Sequence, residues 1–193
     1  MQYRGRLVSK TYSGVRADTT TPVSTGVFSL LYYNANIMHY FDGISTPVGR
    51  LHIVVSDEAV LRVYFPGEEW TERFIRKPKH PLIVAAKKQL SEYFQGTRKI
   101  FDLPLAPEGT PFQLSVWNVL RKIPYSKTIS YSEEARRAGS AKAVRAVGSA
   151  NGKNPLPIFI PCHRVISTNG TLGGYSGGLY NKQFLLTLES SLS

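Results

Sequence analysis

The sequence predicts an α+β fold: a small sheet-plus-helix domain over residues 37–106, then a mainly helical domain over residues 107–193. Three observations carry this. Alternating, β-branched segments flank a turn cluster within residues 49–65, the pattern of paired strands. Helical periodicity follows from Pro81 and recurs in shorter pieces after Thr110. Between the halves, Ala106-Pro107-Glu108-Gly109 is turn-rich and unpatterned, as an interdomain linker should be.

Taken in order, residues 1–36 are rich in Thr, Ser, Tyr and Val, with Arg4, Arg6, Lys10 and Arg16 early and no acidic residue before Asp18. They lack the apolar core of a secretory signal and show no amphipathic helix, and are expected to form a partly disordered extension. Gly49-Arg50-Leu51-His52-Ile53-Val54-Val55 and Ala59-Val60-Leu61-Arg62-Val63-Tyr64-Phe65 read as two strands around a Ser56-Asp57-Glu58 turn. Pro81 opens a helix whose apolar positions are Leu82, Ala86, Leu90 and Tyr93 or Phe94, and Gly96 stops it. Residues 99–103 are a candidate strand of the same sheet.

Thr110 is a candidate N-cap with Pro111 at the first helical position, and Phe112, Val116, Val119 or Leu120, and Ile123 supply the buried stripe. Trp117 reads as core rather than as a base-stacking platform. Ser130 stands three residues before Glu133, a capping-box spacing that opens a short helix ending at Gly139. Residues 141–150 form a second short helix, and the two make a helix-turn-helix. The second contains Ala141, Ala143, Ala146, Gly148, Ser149 and Ala150, small enough for close approach to a nucleic-acid groove or, equally, for packing. Asn151-Gly152-Lys153-Asn154-Pro155 is a loop. Residues 165–172, with Asn169-Gly170 in the middle, read as a hairpin. The glycine-rich 173–178 loop lacks the Lys-Ser or Lys-Thr ending of a phosphate loop. Residues 180–188 close the chain as a helix with Phe184, Leu185 and Leu188 inward.

The chain carries 24 Lys and Arg against 13 Asp and Glu, a net charge of +11 over 193 residues. Residues 107–193 hold 10 basic and 4 acidic side chains, so about half of the excess lies in the second half. An excess of this size points to a polyanionic partner, and nucleic acid is the obvious one. No apolar run approaches the roughly 20 residues of a membrane span. A single cysteine, Cys162, excludes an intramolecular disulfide and suits a reducing compartment.

That cysteine sits in Leu156-Pro157-Ile158-Phe159-Ile160-Pro161-Cys162-His163-Arg164-Val165. Pro157 and Pro161 stiffen an apolar run that leads to the thiol. Read alone, Cys162 is a buried structural cysteine, the ordinary fate of a free thiol. His163 and Arg164 add the positive potential that favours thiolate, and a histidine can take the thiol proton through a water.

Taken together, these motifs resemble the O6-alkylguanine-DNA alkyltransferases. Pro161-Cys162-His163-Arg164 matches the family motif without a change. Arg145-Ala146-Val147-Gly148 through Asn154-Pro155 is similar to the segment carrying its arginine finger and asparagine hinge. Gly173-Gly174-Tyr175-Ser176-Gly177-Gly178-Leu179 and Glu189 resemble its pocket loop and the end of its catalytic relay. The resemblance is close over residues 110–189, general over residues 38–105 and absent from residues 1–36.

The resemblance implies a ribonuclease H-like first domain and a winged helix-turn-helix second domain. It implies an enzyme that moves a methyl or larger alkyl group from guanine O6, and from thymine O4, to Cys162, once per molecule, after flipping the nucleotide out of the duplex. His163 would be the water-mediated base, oriented by Glu189. Tyr131 would serve guanine N3, and Asn154 would hold the turn that places Cys162. Arg145 would fill the vacated stack, with Ala143, Ala146, Gly148, Ser130 and Lys142 at the minor groove. Tyr131, Val165, Tyr175, Ser176, Asn151 and Pro157 would line the pocket. Asn151 and Gly152 replace bulkier residues of the human member, which predicts acceptance of larger adducts. The partner would be double-stranded DNA bearing O6-alkylguanine, bound by a monomer inside the cell, in the cytoplasm or nucleoid of a prokaryote or the nucleus of a eukaryote.

No cofactor and no metal are expected. Family members that hold zinc use cysteines in the first half, where this chain has none, and His39, His52 and His80 lack ligand spacing. Three rivals fit less well. A thiol protease would place its histidine far from the cysteine in sequence. A non-enzymatic damage binder of the alkyltransferase-like kind would lack the cysteine. A regulator that senses alkylation would carry further cysteines.

Overall fold

Residues 38–70 and 72–191 are described by a computed structural model. The expected extension, residues 1–36, lies outside the described residues. Strands β1 (Tyr40–Thr46), β2 (Gly49–Val55) and β3 (Val60–Tyr64) form an antiparallel meander, and β4 (Ile75–Arg76) pairs parallel with β1, giving the order β3-β2-β1-β4. Gly49, at φ +97°, turns the chain from β1 into β2, a conformation that favours glycine. Ser56 Oγ accepts from the Ala59 amide at 3.1 Å and closes the next turn.

Alternation sends Leu51, Ile53 and Val55 to one face of the sheet, where α1 (Pro81–Phe94) covers them with Ile83, Ala86, Leu90 and Tyr93. Each such side chain contributes about 1.5–3 kcal/mol when fully buried. Ile83, three residues before Ala86 on the same face, leads the buried stripe, and Leu82 is only partly buried. On the other face, Trp70 packs edge-on against Phe41, His52 and Tyr64 at 4.9–5.2 Å between ring centroids. His52 is therefore a packing residue.

Strands β1 and β4 add to the expected pair, and one expectation in this half needs correction. The candidate strand at residues 99–103 does not form; the sheet meets this stretch only at a bridge between Val60 and Leu105. Pro104 and Pro107 remove the donors a longer ladder needs.

In the second half, α2 (Pro111–Leu120) begins with a full capping box. The Thr110 side chain accepts from the Gln113 amide, and the Gln113 side chain accepts from the Thr110 amide. Trp117 is core: 2% exposed, it donates to the Ala150 carbonyl at 2.9 Å. Helices α3 (Tyr131–Arg137) and α4 (Val144–Gly152) form the helix-turn-helix. Ser130 caps α3 by accepting from the Glu133 amide at 3.1 Å. The box stays half made, because the Glu133 carboxylate accepts instead from Arg136 and Arg137 at 2.8 and 2.7 Å.

Helix α4 starts three residues later than expected. The Ala143 amide donates to the Ser140 carbonyl at 2.7 Å, holding residues 140–143 in a turn. The expected hairpin at residues 165–172 reduces to its turn, with the Ser167 amide donating to the Thr171 carbonyl at 2.8 Å. Its first strand, β6 (Val165–Ile166), pairs parallel with β5 (Ile129–Ser130). Helix α5 (Leu179–Ser191) ends the described chain and buries Lys182, Leu185 and Glu189; Phe184 and Leu188 are only partly covered. One apolar cluster runs from Val48, Leu51 and Ile53 through Trp117 and Leu120 to Ile160, Cys162 and Leu185.

Candidate active site

Every residue from Asn154 to Val165 is buried, so the path of the backbone decides where the thiol lies. Asn154 directs that path. Its Oδ1 accepts from the Leu156 amide at 3.0 Å, and its Nδ2 donates to the Ile160 carbonyl at 2.8 Å. The Ile160 amide donates to the Leu156 carbonyl at 2.8 Å and closes the turn. Inside it Ile158 takes φ +73°, a conformation a β-branched residue adopts only under constraint, at about 1–3 kcal/mol. The same Asn154 Nδ2 reaches Cys162 Sγ at 3.2 Å. A 3₁₀ turn, Cys162–Arg164, then separates the side chains of Cys162 and His163.

Behind the thiol lies a dense polar network. His163 Nε2 is 2.9 Å from Glu189 Oε1. A carboxylate can only accept, so Nε2 carries the proton and Nδ1 presents its lone pair. Nδ1 has no hydrogen-bond partner among the described residues. Glu189 also accepts from Arg164 through Nε and Nη2 at 2.9 Å each, from Tyr93 Oη at 2.8 Å and from the Ser126 amide at 3.0 Å. Burial raises its carboxyl, but the bonds from His163 and Arg164 outweigh that and bring it to about 2. Burial lowers His163 despite Glu189. Burial likewise pushes the Cys162 thiol up to about 11, with the Asn154 bond and the Lys182 charge pulling the other way. At neutral pH the resting group is a thiol bonded by Asn154, next in sequence to a neutral imidazole whose Nδ1 has no partner among the described residues.

Cys162 opens into a cleft of about 670 Å³. Of the expected pocket residues, Tyr131, Asn151, Tyr175 and Ser176 line it. Val165 is fully buried, its carbonyl accepting from Lys182 Nζ at 2.6 Å. Pro157 lines a neighbouring cleft with Asn154 and Ser176. Of the expected DNA-contacting residues, Arg145 and Gly148 border the main cleft. Arg145, Ala146 and Lys142 are exposed, and Ala143 and Ser130 are half-buried at helix starts.

Two profiles match the chain: the ribonuclease-like domain of 6-O-methylguanine DNA methyltransferase over residues 39–107, and its DNA-binding domain over residues 111–191. The chain belongs to the 6-O-methylguanine DNA methyltransferase family. It is 46% identical to the constitutive methylated-DNA--protein-cysteine methyltransferase of Bacillus subtilis, over 79% of this chain and 96% of that one. The Shigella flexneri methylated-DNA--protein-cysteine methyltransferase is 42% identical, over 77% and 94%. Among solved structures, Mycobacterium tuberculosis OGT in complex with DNA superposes with a TM-score of 0.76 at 38% identity, over 80% of this chain and 94% of that one.

Three groups of this methyltransferase-family site, Tyr93, Lys182 and Glu134, escaped the sequence reading, and Arg164 places its charge on Glu189 rather than on the thiol. Arg164 and Tyr93 hold Glu189. Lys182 Nζ donates to the carbonyls of Val165 and Gly174 at 2.6 and 3.2 Å, joining the cysteine segment to the pocket loop. Burial lowers its ammonium to about 8, while Cys162 and Glu134 favour the charge. Glu134 is fully buried against Asn151, and burial raises it to about 7. The signal for Lys182 was its spacing: residues 182, 185 and 189 share one face of a helix, and with Leu185 and Glu189 expected inward that face carries Lys182 inward too.

Proposed function

We propose that this chain repairs DNA by direct reversal, carrying a methyl or larger alkyl group from guanine O6, or thymine O4, to Cys162. One observation carries the reading: a buried thiol lines a cleft bordered by the helix-turn-helix, and the next residue in the chain, His163, is bonded to the buried Glu189. The target atom is unreachable in a stacked duplex, so the nucleotide is extruded into the cleft. Arg145, exposed at the cleft border, takes the vacated place from the minor-groove side, where side-chain wedges commonly act.

In the transfer step, His163 Nδ1 takes the thiol proton through a bridging water. Glu189 stabilises the resulting imidazolium, and Arg164 and Tyr93 keep Glu189 in place. The Sγ–C bond forms as the C–O6 bond breaks, and the electron pair goes to guanine. Tyr131 relieves that charge by donating to guanine N3. The thioether formed has no hydrolytic exit, so each molecule acts once. Lys142, Ala143, Ala146, Gly148 and Ser130 belong to the DNA-facing surface, and the excess of basic residues supplies sequence-independent affinity. The protein works as a monomer, and a free thiol suits a reducing intracellular compartment.

A duplex whose restriction site is blocked by O6-methylguanine tests this. Equimolar protein is expected to restore cleavage, at no more than one site per molecule, and Cys162→Ser is expected to leave the duplex uncut. Restoration by Cys162→Ser, or many sites restored per molecule, would refute it.

A further inference from the structure

The pocket loop rests on a residue that no step above uses. Phe65 follows β3 and is 3% exposed. Its amide donates to Glu68 Oε2 at 2.8 Å, which fixes the chain as it leaves the strand. Its ring meets Tyr175 edge to face, with 5.9 Å between centroids and 75° between planes. It also meets the loop backbone at Gly177, where an added Cβ would lie 2.7, 2.8 and 2.9 Å from three atoms of the Phe65 ring. Gly177 is not among the glycines with positive φ, so the ring, not the backbone, excludes a side chain there. Gly178 is the opposite case, at φ +87° with open space beside it. Gly174, Tyr175 and Ser176 line the cleft with Cys162, and Phe65 lies behind them without lining it. The Tyr175 hydroxyl has no hydrogen-bond partner among the described residues, so ring packing sets where that side chain stands. Tyr131 Oη and Lys182 Nζ both donate to the Gly174 carbonyl at 3.2 Å, and Asn181 Nδ2 donates to the Gly177 carbonyl at 2.8 Å. Those anchors come from the second half of the chain, and Phe65 adds one from the first. Two residues earlier, the Val63 amide donates to the Pro155 carbonyl at 2.8 Å. The end of β3 thus touches both the hinge before the cysteine and the pocket loop.

We propose that Phe65 is a positioning residue for alkyl transfer: through Gly177 and Tyr175 it fixes the stance of the loop that walls the cleft holding Cys162. The inference rests on the alkyl-transfer reading above and gives the first half of the chain a part in the reaction. In-line displacement needs the adduct carbon about 3–3.5 Å from Sγ and aligned with the bond that breaks. A base in this cleft keeps that geometry only while the wall stays in place. Removing the ring leaves a void into which the loop settles only in part. Adding a methyl at Gly177 forces loop and ring apart, because a buried ring has nowhere to go. Either change moves Tyr175 without touching the thiol, His163 or the helix-turn-helix.

The test is methyl transfer by the full chain with O6-methylguanine duplex in saturating excess. Because each molecule acts once, the amplitude counts competent protein, and the rate constant reads the geometry within it. Phe65→Ala and Gly177→Ala are each expected to lower the rate constant about tenfold, against the roughly hundredfold cost of a full 1 Å misplacement. Amplitude and binding to undamaged duplex are expected to stay near wild type. Phe65→Leu makes room for the Gly177 methyl. The double variant Phe65→Leu/Gly177→Ala is therefore expected to recover to within about threefold of Phe65→Leu alone, a coupling that residues in contact show. Losses confined to amplitude and thermal stability, with unchanged rate constants, would overturn the inference and leave Phe65 as support for the fold. A double variant as slow as the product of its two single effects would overturn it too, since the pair would then not act through its contact. If Phe65→Ala does not fold, Gly177→Ala and the double variant decide the matter. Methyl transfer by the wild type is the separate control: its absence would overturn the alkyl-transfer reading, whereas its presence with unchanged rate constants in the variants would overturn only the role of Phe65.

Discussion

Glu189 accepts from four different groups with 1% of its surface exposed, so one substitution there reaches both stability and chemistry. Glu189→Gln keeps the shape but removes the charge opposite Arg164, and is expected to lower unfolding free energy at pH 7 by about 3–5 kcal/mol. The sign with pH follows from a carboxyl brought down from 4.5 to about 2. Its contribution is fully present above pH 4.5 and is lost as pH falls toward 2. Urea unfolding of both proteins should therefore show the largest gap near neutrality and a shrinking one below pH 4; a gap that widens in acid would contradict this. His163→Gln, which removes the open Nδ1 lone pair, is expected to slow transfer by about 10²–10⁴-fold, read by single-turnover kinetics. At this scale the sequence was legible where neighbours in the chain form a unit, as in Pro161-Cys162-His163-Arg164. Arg164 and Tyr93 were illegible as partners of Glu189 because 25 and 96 positions separate each from it.

The 173–178 loop forms one wall of the cleft, and Lys182 of α5 ties it to β6 through the carbonyls of Gly174 and Val165. Gly173 shows how tight that wall is. It takes φ +66°, and a Cβ built there would lie 2.7 Å from the Tyr131 ring and 3.1 Å from its hydroxyl. Gly173→Ala must move either the loop or Tyr131, and is expected to slow transfer while leaving binding to undamaged DNA near wild type. Equal rates for the two proteins in a single-turnover assay would show that the wall yields freely. The strands around the Ser56 turn were legible from their alternation, and Thr110-Pro111 and Ser130 marked two helix starts by their capping chemistry. Strand β1 was not, because Asp42 and Gly43 interrupt its apolar pattern; Asp42 is buried by its ion pairs with Arg76 and Lys87. Strand β4 is two exposed residues long and exists through pairing alone, which no local pattern announces. Helix α4 starts late for a similar reason: a backbone bond to Ser140 competes with the helix that the small residues would permit.

Across the whole molecule, no helix among the described residues is long and apolar enough to cross a membrane, and the net charge of +11 favours a polyanion. Binding to undamaged duplex is expected to weaken with salt, with log K falling by about 0.9 per phosphate contacted for each unit of log salt concentration. A salt-independent affinity in a fluorescence-anisotropy titration would remove DNA as the partner this charge serves. Arg145→Ala should reduce that slope only slightly while slowing lesion transfer far more, because its proposed work is inside the stack. The general plan of strands before helices was readable from periodicity. What joins the two halves was not: Val63 donates from its amide to the Pro155 carbonyl at 2.8 Å, so the sheet braces the hinge before the cysteine. Such contacts depend on how distant segments meet, and residue spacing does not encode that.

The most direct test of Cys162 as the acceptor is intact-mass spectrometry after incubation with duplex DNA carrying one O6-methylguanine. The expected result is a gain of one CH2 per molecule, mapped to the peptide containing Cys162 and absent in Cys162→Ser. Lesion binding with no mass change, or a methyl group found on any other residue, would contradict it.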